Sequence, residues 1–445
     1  MNKLLKLSTF NVYDNFESKK HLVYNILTQA SFYLDEETFN KLHENPDLLE
    51  ENYKKKLLKD KIIVPNDLDE EQYLMKNFNE RNDINGLLNL TICITTSCNM
   101  KCIYCYEEGI KRVTISEHTI EMIVSWIKNY IHKHNIKNLG VLLFGGEPLV
   151  AKKELAIVMK QINKLCVDKK VNVTFSIGTN GVLLTKEVAS ELKKLGLKGA
   201  QITIDGPQEL QDKRRPMVNS ESSFYTIINN IKEVADILQT IIKINIDKQN
   251  IDQVDELLNS LENLGIKKSV SFKVEAIAKT PVSSNNQTHY CNINAFNPKK
   301  KELALAYLNT IELIENRGFR VDKSTAHMTP CMFTSKSHFI INSDGNIYKC
   351  ISAVGIEEFK VGNVAEFNFN ENYTKFIEFI NLSYECFKNK CPYIPKCGAG
   401  CPYESYCSCN DIYEVECKKE FYANFYKEKF KRLYDKTFER CKGTS

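Results

Sequence analysis

The chain has 445 residues, too many for one ordinary domain, with 43% hydrophobic residues and a net charge of +4 from 60 Lys plus Arg against 56 Asp plus Glu. That near balance supplies no basic surface for nucleic acid. The opening residues lack the apolar core of a secretory signal, and no later run approaches the roughly 20 apolar residues of a membrane span, so the chain reads as cytosolic with no membrane partner.

Residues 1–88 are charged and Tyr-rich, with two short apolar runs, LVYNIL and SFYL, ahead of a helix expected from Glu36 through Leu48. They read as a small α+β module with a helical tail. From Leu90 the pattern changes to the short apolar runs LTICIT, LGVLLF, VTFSIG, QITID, IIKINI and VSFKVE, each followed by a loop and most by an amphipathic helix. Ile120, Ile123, Val124, Ile127 and Ile131 recur at helical spacing behind Ser116, an N-cap candidate.

Six such units, ending in a helix near Lys300 to Asn316, predict an α/β core of parallel strands with helices outside. This is a partial (β/α)6 barrel with its active site at the strands' C-terminal ends. Residues 280–298, polar and Asn-rich, read as a loop or lid that includes Cys291. After about residue 325 the rhythm stops, and SHFIINSDGNIYKC reads as a hairpin turning at Ser343, Asp344 and Gly345. The closing EFYANFYKEKFKRLYDKTFE reads as an amphipathic helix packed on its own domain.

Cysteine is the outlier, because 16 of them without a secretion signal do not make a disulfide framework in a reducing compartment. Metal ligation is the leading reading. Directly after the first core strand, TTSCNMKCIYCYEEG carries Cys98-x3-Cys102-x2-Cys105. Three thiolates on one loop hold three irons of a [4Fe-4S] cube and leave the fourth open to an outside ligand. A zinc site would need a fourth nearby ligand, which that loop does not supply. Cys93 and Cys166 read as buried packing residues, and Cys441 as part of the terminal tail.

This loop resembles that of the radical S-adenosylmethionine (SAM) superfamily, with Tyr104 before the last cysteine. The resemblance implies SAM chelating the open iron and being cleaved to a 5'-deoxyadenosyl radical that abstracts hydrogen from substrate. It also implies SAM contacts at later strand ends. Gly145, Gly146, Glu147 and Pro148 end the second strand, where two glycines allow close backbone approach and a carboxylate meets the amino group. Thr179 and Asn180 in GTNG, Thr203 and Asp205 in TIDGP, and then Arg215 and Asn245 complete the expected set. No catalytic residue is assigned.

The C-terminal cysteines resemble the SPASM extension of that superfamily, which implies two auxiliary [4Fe-4S] clusters and three in all. By analogy Cys386, Cys391, Cys397 and Cys417 hold one, and Cys331, Cys350 and Cys401 the other. Cys386 and Cys391 are separated by four residues where the family pattern usually has two, so Cys386 is the least regular ligand. The second set has three thiols, and MFTSKSHF offers none where sulfatase-maturating relatives carry another. One iron is then open to a substrate sulfur unless Cys407 or Cys409 substitutes. A zinc ribbon is the competing reading of the block.

The resemblance implies three regions: residues 1–88 as a leader-peptide recognition module, 89–320 as the radical SAM core, and 321–445 as the SPASM domain. It also implies a ribosomally made precursor peptide as substrate and an external donor of the flavodoxin or ferredoxin type. The expected activity is a peptide cross-link, most simply a thioether. The alternative is sulfatase-type formylglycine formation, against which stands Ile351, where those relatives carry an Asp base after the cysteine. A non-catalytic metal-binding protein is the alternative of another class.

Overall fold

The computed structural model describes residues 4–16, 19–279, 291–322 and 331–442. The N-terminal region opens with β1 (Leu5–Leu7), β2 (Asn11–Phe16), β3 (Lys20–Asn25) and β4 (Ser31–Asp35). Then follow α1 (Glu36–Glu44), α2 (Glu51–Lys59), β5 (Ile63–Pro65) and α3 (Glu70–Asn82). Asp35 ends β4 and starts α1 in one step, since its carboxylate accepts from the Thr38 N–H at 2.7 Å. The helix expected through Leu48 stops at Glu44, because Asn45 and Pro46 begin a separate short turn. Strands β2, β3 and β4 form an antiparallel sheet in that order, and β1 pairs with β5. Strand β2, charged and only partly apolar, escaped the sequence pattern.

The core strands are β6 (Leu87–Thr95), β7 (Asn138–Gly145), β8 (Asn172–Thr179), β9 (Leu197–Thr203), β10 (Gln239–Ile246) and β11 (Val270–Ala276). They lie side by side in sequence order, all parallel. Helices α4 (Glu117–His134), α5 (Lys152–Lys169), α6 (Lys186–Lys194), α7 (Gln208–Arg214), α8 (Phe224–Val234) and α9 (Val254–Glu262) provide the crossovers. Ser116 caps α4, accepting from the Thr119 N–H at 3.0 Å. Ile120, Ile123, Ile127 and Ile131 are buried against the sheet.

Strand faces differ in a way that positions the site. On β10, Ile242, Ile244 and Ile246 are buried under helices, whereas Ile241, Lys243 and Asn245 alternate on the other face and stay half-buried. That second face lines the interior of the partial barrel.

Helix α10 (Lys301–Asn316) and the short β12 (Arg320–Val321) close one edge, with β12 parallel to β11. The other edge is extended by the cysteine-rich region. There β13 (His338–Ile341) runs parallel to β6, β14 (Asn346–Tyr348) pairs antiparallel with β13, and β15 (Lys360–Asn363) with β14. The hairpin turns as expected, with the Gly345 N–H donating to the Asn342 carbonyl at 2.9 Å. Its union with the core makes one ten-stranded sheet.

Beyond it lie α11 (Glu371–Ile377), α12 (Tyr384–Lys388), α13 (Ile394–Cys397), α14 (Pro402–Cys409) and α15 (Lys419–Lys442). Helix α15 does not pack on the cysteine-rich region alone. Tyr426 and Phe430 are buried against Tyr24 of β3 and Tyr393, and Tyr434 stacks on Phe16 of β2 with ring centroids 4.0 Å apart. Each buried aromatic contributes about 1.5–3 kcal/mol from its apolar surface, so α15 fastens the N-terminal sheet to the C-terminal region. Arg432 extends the clamp to the core, pairing with Glu312 of α10 at 2.8 Å.

Candidate active site at the strand ends

The loop after β6 carries Cys98, Cys102 and Cys105, all half-buried. It is held by Arg112, which donates to the Thr96 carbonyl, and by Thr96 Oγ1, which donates to the Lys111 carbonyl at 2.8 Å. Gly145 and Gly146 are required because β7 ends against this loop. A Cβ on Gly145, at φ +139°, would lie 2.2 Å from the Thr95 carbonyl oxygen, and one on Gly146 2.5 Å from that of Ser97. The Glu147 N–H donates to the Ser97 carbonyl at 2.9 Å, and Pro148 is buried at the start of the turn that follows.

Glu147 is fully buried, and its carboxylate is engaged by neighbours. It accepts from Thr179 Oγ1 at 2.8 Å, the Asn180 N–H at 2.7 Å and the Leu149 N–H at 3.1 Å. Burial pushes its carboxyl up, and these hydrogen bonds oppose that. In turn Asn180 Nδ2 donates to Asn99 Oδ1 at 2.6 Å and lies 3.9 Å from Cys98 Sγ. Glu147 therefore positions the GTNG turn against the cysteine loop.

A second network gathers Tyr104, Asp205, Arg215 and Asn245. The Tyr104 hydroxyl donates to the Asp205 carboxylate, and it accepts from Arg215 Nη1 at 3.0 Å and from Asn245 Nδ2 at 3.3 Å. The Asn245 N–H donates to Asp205 Oδ1 at 2.9 Å. Burial raises the Tyr104 phenol well above its usual value, which keeps it a neutral donor. Arg215 is buried, and its Nε has no hydrogen-bond partner among the described residues. Thr203 ends β9 in register with Lys243 and is half-buried on the interior face.

Several residues of this neighbourhood were missed by sequence reasoning. Arg214 is fully buried, forks onto Asp247 at 2.9 and 3.0 Å, and lies 5.2 Å from the Tyr104 ring centroid. Asn250 donates to the Asp205 and Asn245 carbonyls, both at 2.9 Å. Glu275 bridges Lys243 at 2.5 Å and Lys273 at 2.6 Å on the interior face. A charged residue closing an apolar strand, as in IIKINID, was the one available signal. Cys291 proves buried, its Sγ 3.9 Å from the Tyr104 carbonyl, and it lies in a helical turn where the sequence predicted loop; residues 280–290 of the expected lid lie outside the described residues.

The three loop thiols fit an iron-sulfur cluster in donor chemistry. Burial pushes Cys98 up to about 11 and Cys105 up to about 12, and the charges of neighbouring cysteines add to both. A bound cationic group reverses that balance and lets neighbouring thiols ionise together near neutral pH. Among the described residues no three His, Cys, Asp or Glu side chains converge tightly enough for a single ion. A four-iron cube is wider than an ion and takes thiolates that stand apart.

In the C-terminal region Cys386, Cys391, Cys397 and Cys417 line one small cavity with Tyr393 and Ile394. The longer spacing between Cys386 and Cys391 is absorbed by α12, after which the Cys391 N–H donates back to the Cys386 carbonyl at 3.0 Å. Cys331, Cys350 and Cys401 form another group. Burial, then the charges of Cys401 and Cys331, push the Cys350 thiol up. Cys166 is buried inside α5, Cys93 inside β6, and the Cys441 side chain lies outside the described residues.

The sequence profile described as "Radical SAM superfamily" matches residues 92–261. The chain is 24% identical over 338 residues to a cysteine-type anaerobic sulfatase-maturating enzyme of Clostridium novyi (strain NT), covering 69% of this chain and 85% of that protein. Two solved structures share its fold. "Native anSMEcpe with bound AdoMet" superposes with a TM-score of 0.60 at 19% identity, covering 78% of this chain and 98% of that one. Streptococcus suis SuiB bound to precursor peptide SuiA gives 0.55 at 15% identity, covering 94% and 99%. No helix among the described residues is long and apolar enough to cross a membrane.

Proposed function

From the premise that this chain is a radical SAM enzyme with its domain at residues 92–261, we propose that it is a peptide maturase that installs a cross-link, a thioether between a substrate cysteine sulfur and a carbon of another residue. The observation that carries the reading is one register pair. Asn245, in the Tyr104 network, lies opposite Glu275 across β10 and β11, and Glu275 lines a cleft of about 900 Å³. The cleft continues past Phe296, Tyr307, Tyr422 and Lys429 to Tyr24 of the N-terminal sheet. Its size falls in the range of ligand pockets, and an aromatic, lysine-bearing wall suits an extended peptide. The N-terminal sheet has two strand edges, β2 and β4, at which a leader segment adds as a further strand.

When bound at Cys98, Cys102 and Cys105, the cluster and SAM supply a 5'-deoxyadenosyl radical for hydrogen-atom abstraction. The protein's own groups hold the cofactor in place. Arg215, fixed on the Tyr104 hydroxyl, offers Nε to a carboxylate, and Asn180 is held beside Cys98 by the Glu147 carboxylate. For a thioether, one hydrogen atom leaves a carbon, one proton leaves the thiol, and one electron passes to an acceptor. Clusters held by the auxiliary sets, Cys331, Cys350, Cys401 and Cys386, Cys391, Cys397, Cys417, would supply that acceptor, and a flavodoxin- or ferredoxin-type protein would be the donor for SAM cleavage.

Formylglycine formation is the second reading, favoured by the Clostridium novyi relative. Ile351 speaks against it, since an aliphatic side chain after Cys350 cannot take a proton. The test combines reconstituted protein, SAM and a cysteine-containing peptide from a short reading frame sought among the neighbouring genes. A thioether shows as loss of two hydrogens, a cysteine that resists alkylation and no aldehyde, whereas formylglycine reacts with a hydrazide probe. Changing Cys98, Cys102 and Cys105 together to Ala should abolish 5'-deoxyadenosine formation and leave the auxiliary iron. Equal yield from that variant would remove the enzyme reading.

A further inference from the structure

Three charged side chains share the interior face of the barrel beside the Tyr104 network. Lys243 and Lys273 are direct cross-strand partners on β10 and β11, and Glu275 follows two residues later on β11, opposite Asn245. Alternation along the strands puts all four on the half-buried face. Thr203 of β9 continues the lysine row, as the partner of Lys243 on its other side.

The charges on this face do not balance. Glu275 Oε2 lies 2.5 Å from Lys243 Nζ and Glu275 Oε1 lies 2.6 Å from Lys273 Nζ, so one carboxylate holds two ammonium groups. Among the described residues no other carboxylate lies within ion-pair distance of either lysine. Elsewhere on the cleft wall the pairing is one to one, Lys418 with Glu404 at 2.6 Å and Lys299 with Glu416 at 3.3 Å. Like charges side by side on neighbouring strands repel, and with only 22% and 26% of the two lysine side chains exposed, water relieves little of that. The surplus positive charge adjoins Glu275, which lines the cleft. A local rule broken at that place points to an anion from outside the chain.

We propose that Lys243 and Lys273 form a subsite for a carboxylate of the peptide substrate, carried by an acidic side chain or by the C-terminus. The inference rests on the peptide-maturase reading of the cleft and adds the charge of the residue held beside the chemistry. The bound carboxylate shares the two ammonium groups with Glu275, which brings the face to neutrality. Its residue then lies next to Asn245, which the Tyr104 hydroxyl ties to the cysteine loop. Arg215 is left to the carboxylate of SAM. Glu275 competes for the same cations, so it limits affinity for the substrate group.

The experiment uses the reconstituted full chain with SAM and three synthetic peptides. They are acetyl-Gly-Cys-Gly-Asp-Gly-amide, acetyl-Gly-Cys-Gly-Asn-Gly-amide and the Asn peptide with a free C-terminal carboxylate. Equilibrium dialysis gives the dissociation constants. A carboxylate peptide should bind about tenfold more tightly than the blocked Asn peptide, and whichever of the two does so identifies the source. Lys243→Gln and Lys273→Gln should each remove most of this preference with SAM affinity unchanged, whereas Glu275→Gln should enlarge it. Opposite signs separate charge recognition from a folding defect, which would weaken all three peptides alike. Equal affinity for the three in the parent, or a preference that survives in both lysine variants, would overturn the proposal. Weaker SAM binding in those variants would overturn it too, by assigning the cations to the cofactor. The maturase reading fails separately, if an aldehyde forms in place of a thioether while the carboxylate preference stands.

Discussion

The Tyr104 hydroxyl donates to the Asp205 carboxylate, tying the cysteine loop after β6 to the end of β9. That phenol is also the acceptor for Arg215 and Asn245, so one oxygen joins the cysteine loop to the end of β9, the residue after α7 and β10. Tyr104→Phe keeps the ring and deletes the oxygen. Losing hydrogen bonds to charged groups costs about 1.5–3 kcal/mol, a weakening of SAM binding of roughly tenfold or more. Titration of SAM into reconstituted protein measures it, with iron content unchanged. Parental affinity would mean that the network shapes the loop without shaping the cofactor site.

Arg214 and Asp247 are both fully buried, and each neutralises the other. Arg214→Leu leaves the Asp247 charge stranded and should lower unfolding free energy by about 3–5 kcal/mol. Adding Asp247→Leu should recover a large part of that loss. Urea unfolding of the single and double variants reads the difference. If the double variant is no better than the single, packing of the guanidinium against Tyr104 outweighs the ion pair.

Glu275 gives a pH dependence remote from the cysteines. Burial raises its carboxyl, but the charges and hydrogen bonds of Lys243 and Lys273 prevail and bring it down to about 2 from 4.5. A depressed folded pKa stabilises above the unfolded value, and the gain disappears as pH falls from about 4.5 towards 2. With 35% of the side chain exposed, solvent screening keeps the effect small. Glu275→Gln should be slightly less stable at pH 7 and show a shallower loss of urea midpoint below about pH 4.5. An unchanged acid slope would show the bridge to be inert.

The N-terminal sheet makes a prediction for substrate capture. Because Tyr24 and Phe16 pack on α15, removing residues 1–88 exposes Tyr426 and Phe430 and damages the C-terminal region along with recognition. Hydrogen-deuterium exchange on the intact chain avoids that problem. Adding leader peptide should slow amide exchange in one edge strand, Asn11–Phe16 or Ser31–Asp35, by about tenfold. Protection confined to the cleft would move leader recognition away from the sheet.

The amino-acid sequence by itself determined what is local. Apolar runs of strand length, Ser116 ahead of its helix, the hairpin at Ser343 to Gly345 and the three-thiol loop each depend on residues within a few positions of one another. Those interactions survive in any fold, so periodicity and spacing reveal them. Tertiary structure alone decided what depends on distant partners. Strand β13 reaches β6 across more than two hundred residues, and α15 joins aromatic residues from opposite ends of the chain. A contact between residues so far apart leaves no periodicity in either segment, so neither pattern nor spacing reveals it. The orientation of a helix is set by what it buries, and α14 turns Tyr403 and Tyr406 onto Phe359, which lies some forty residues earlier in the chain.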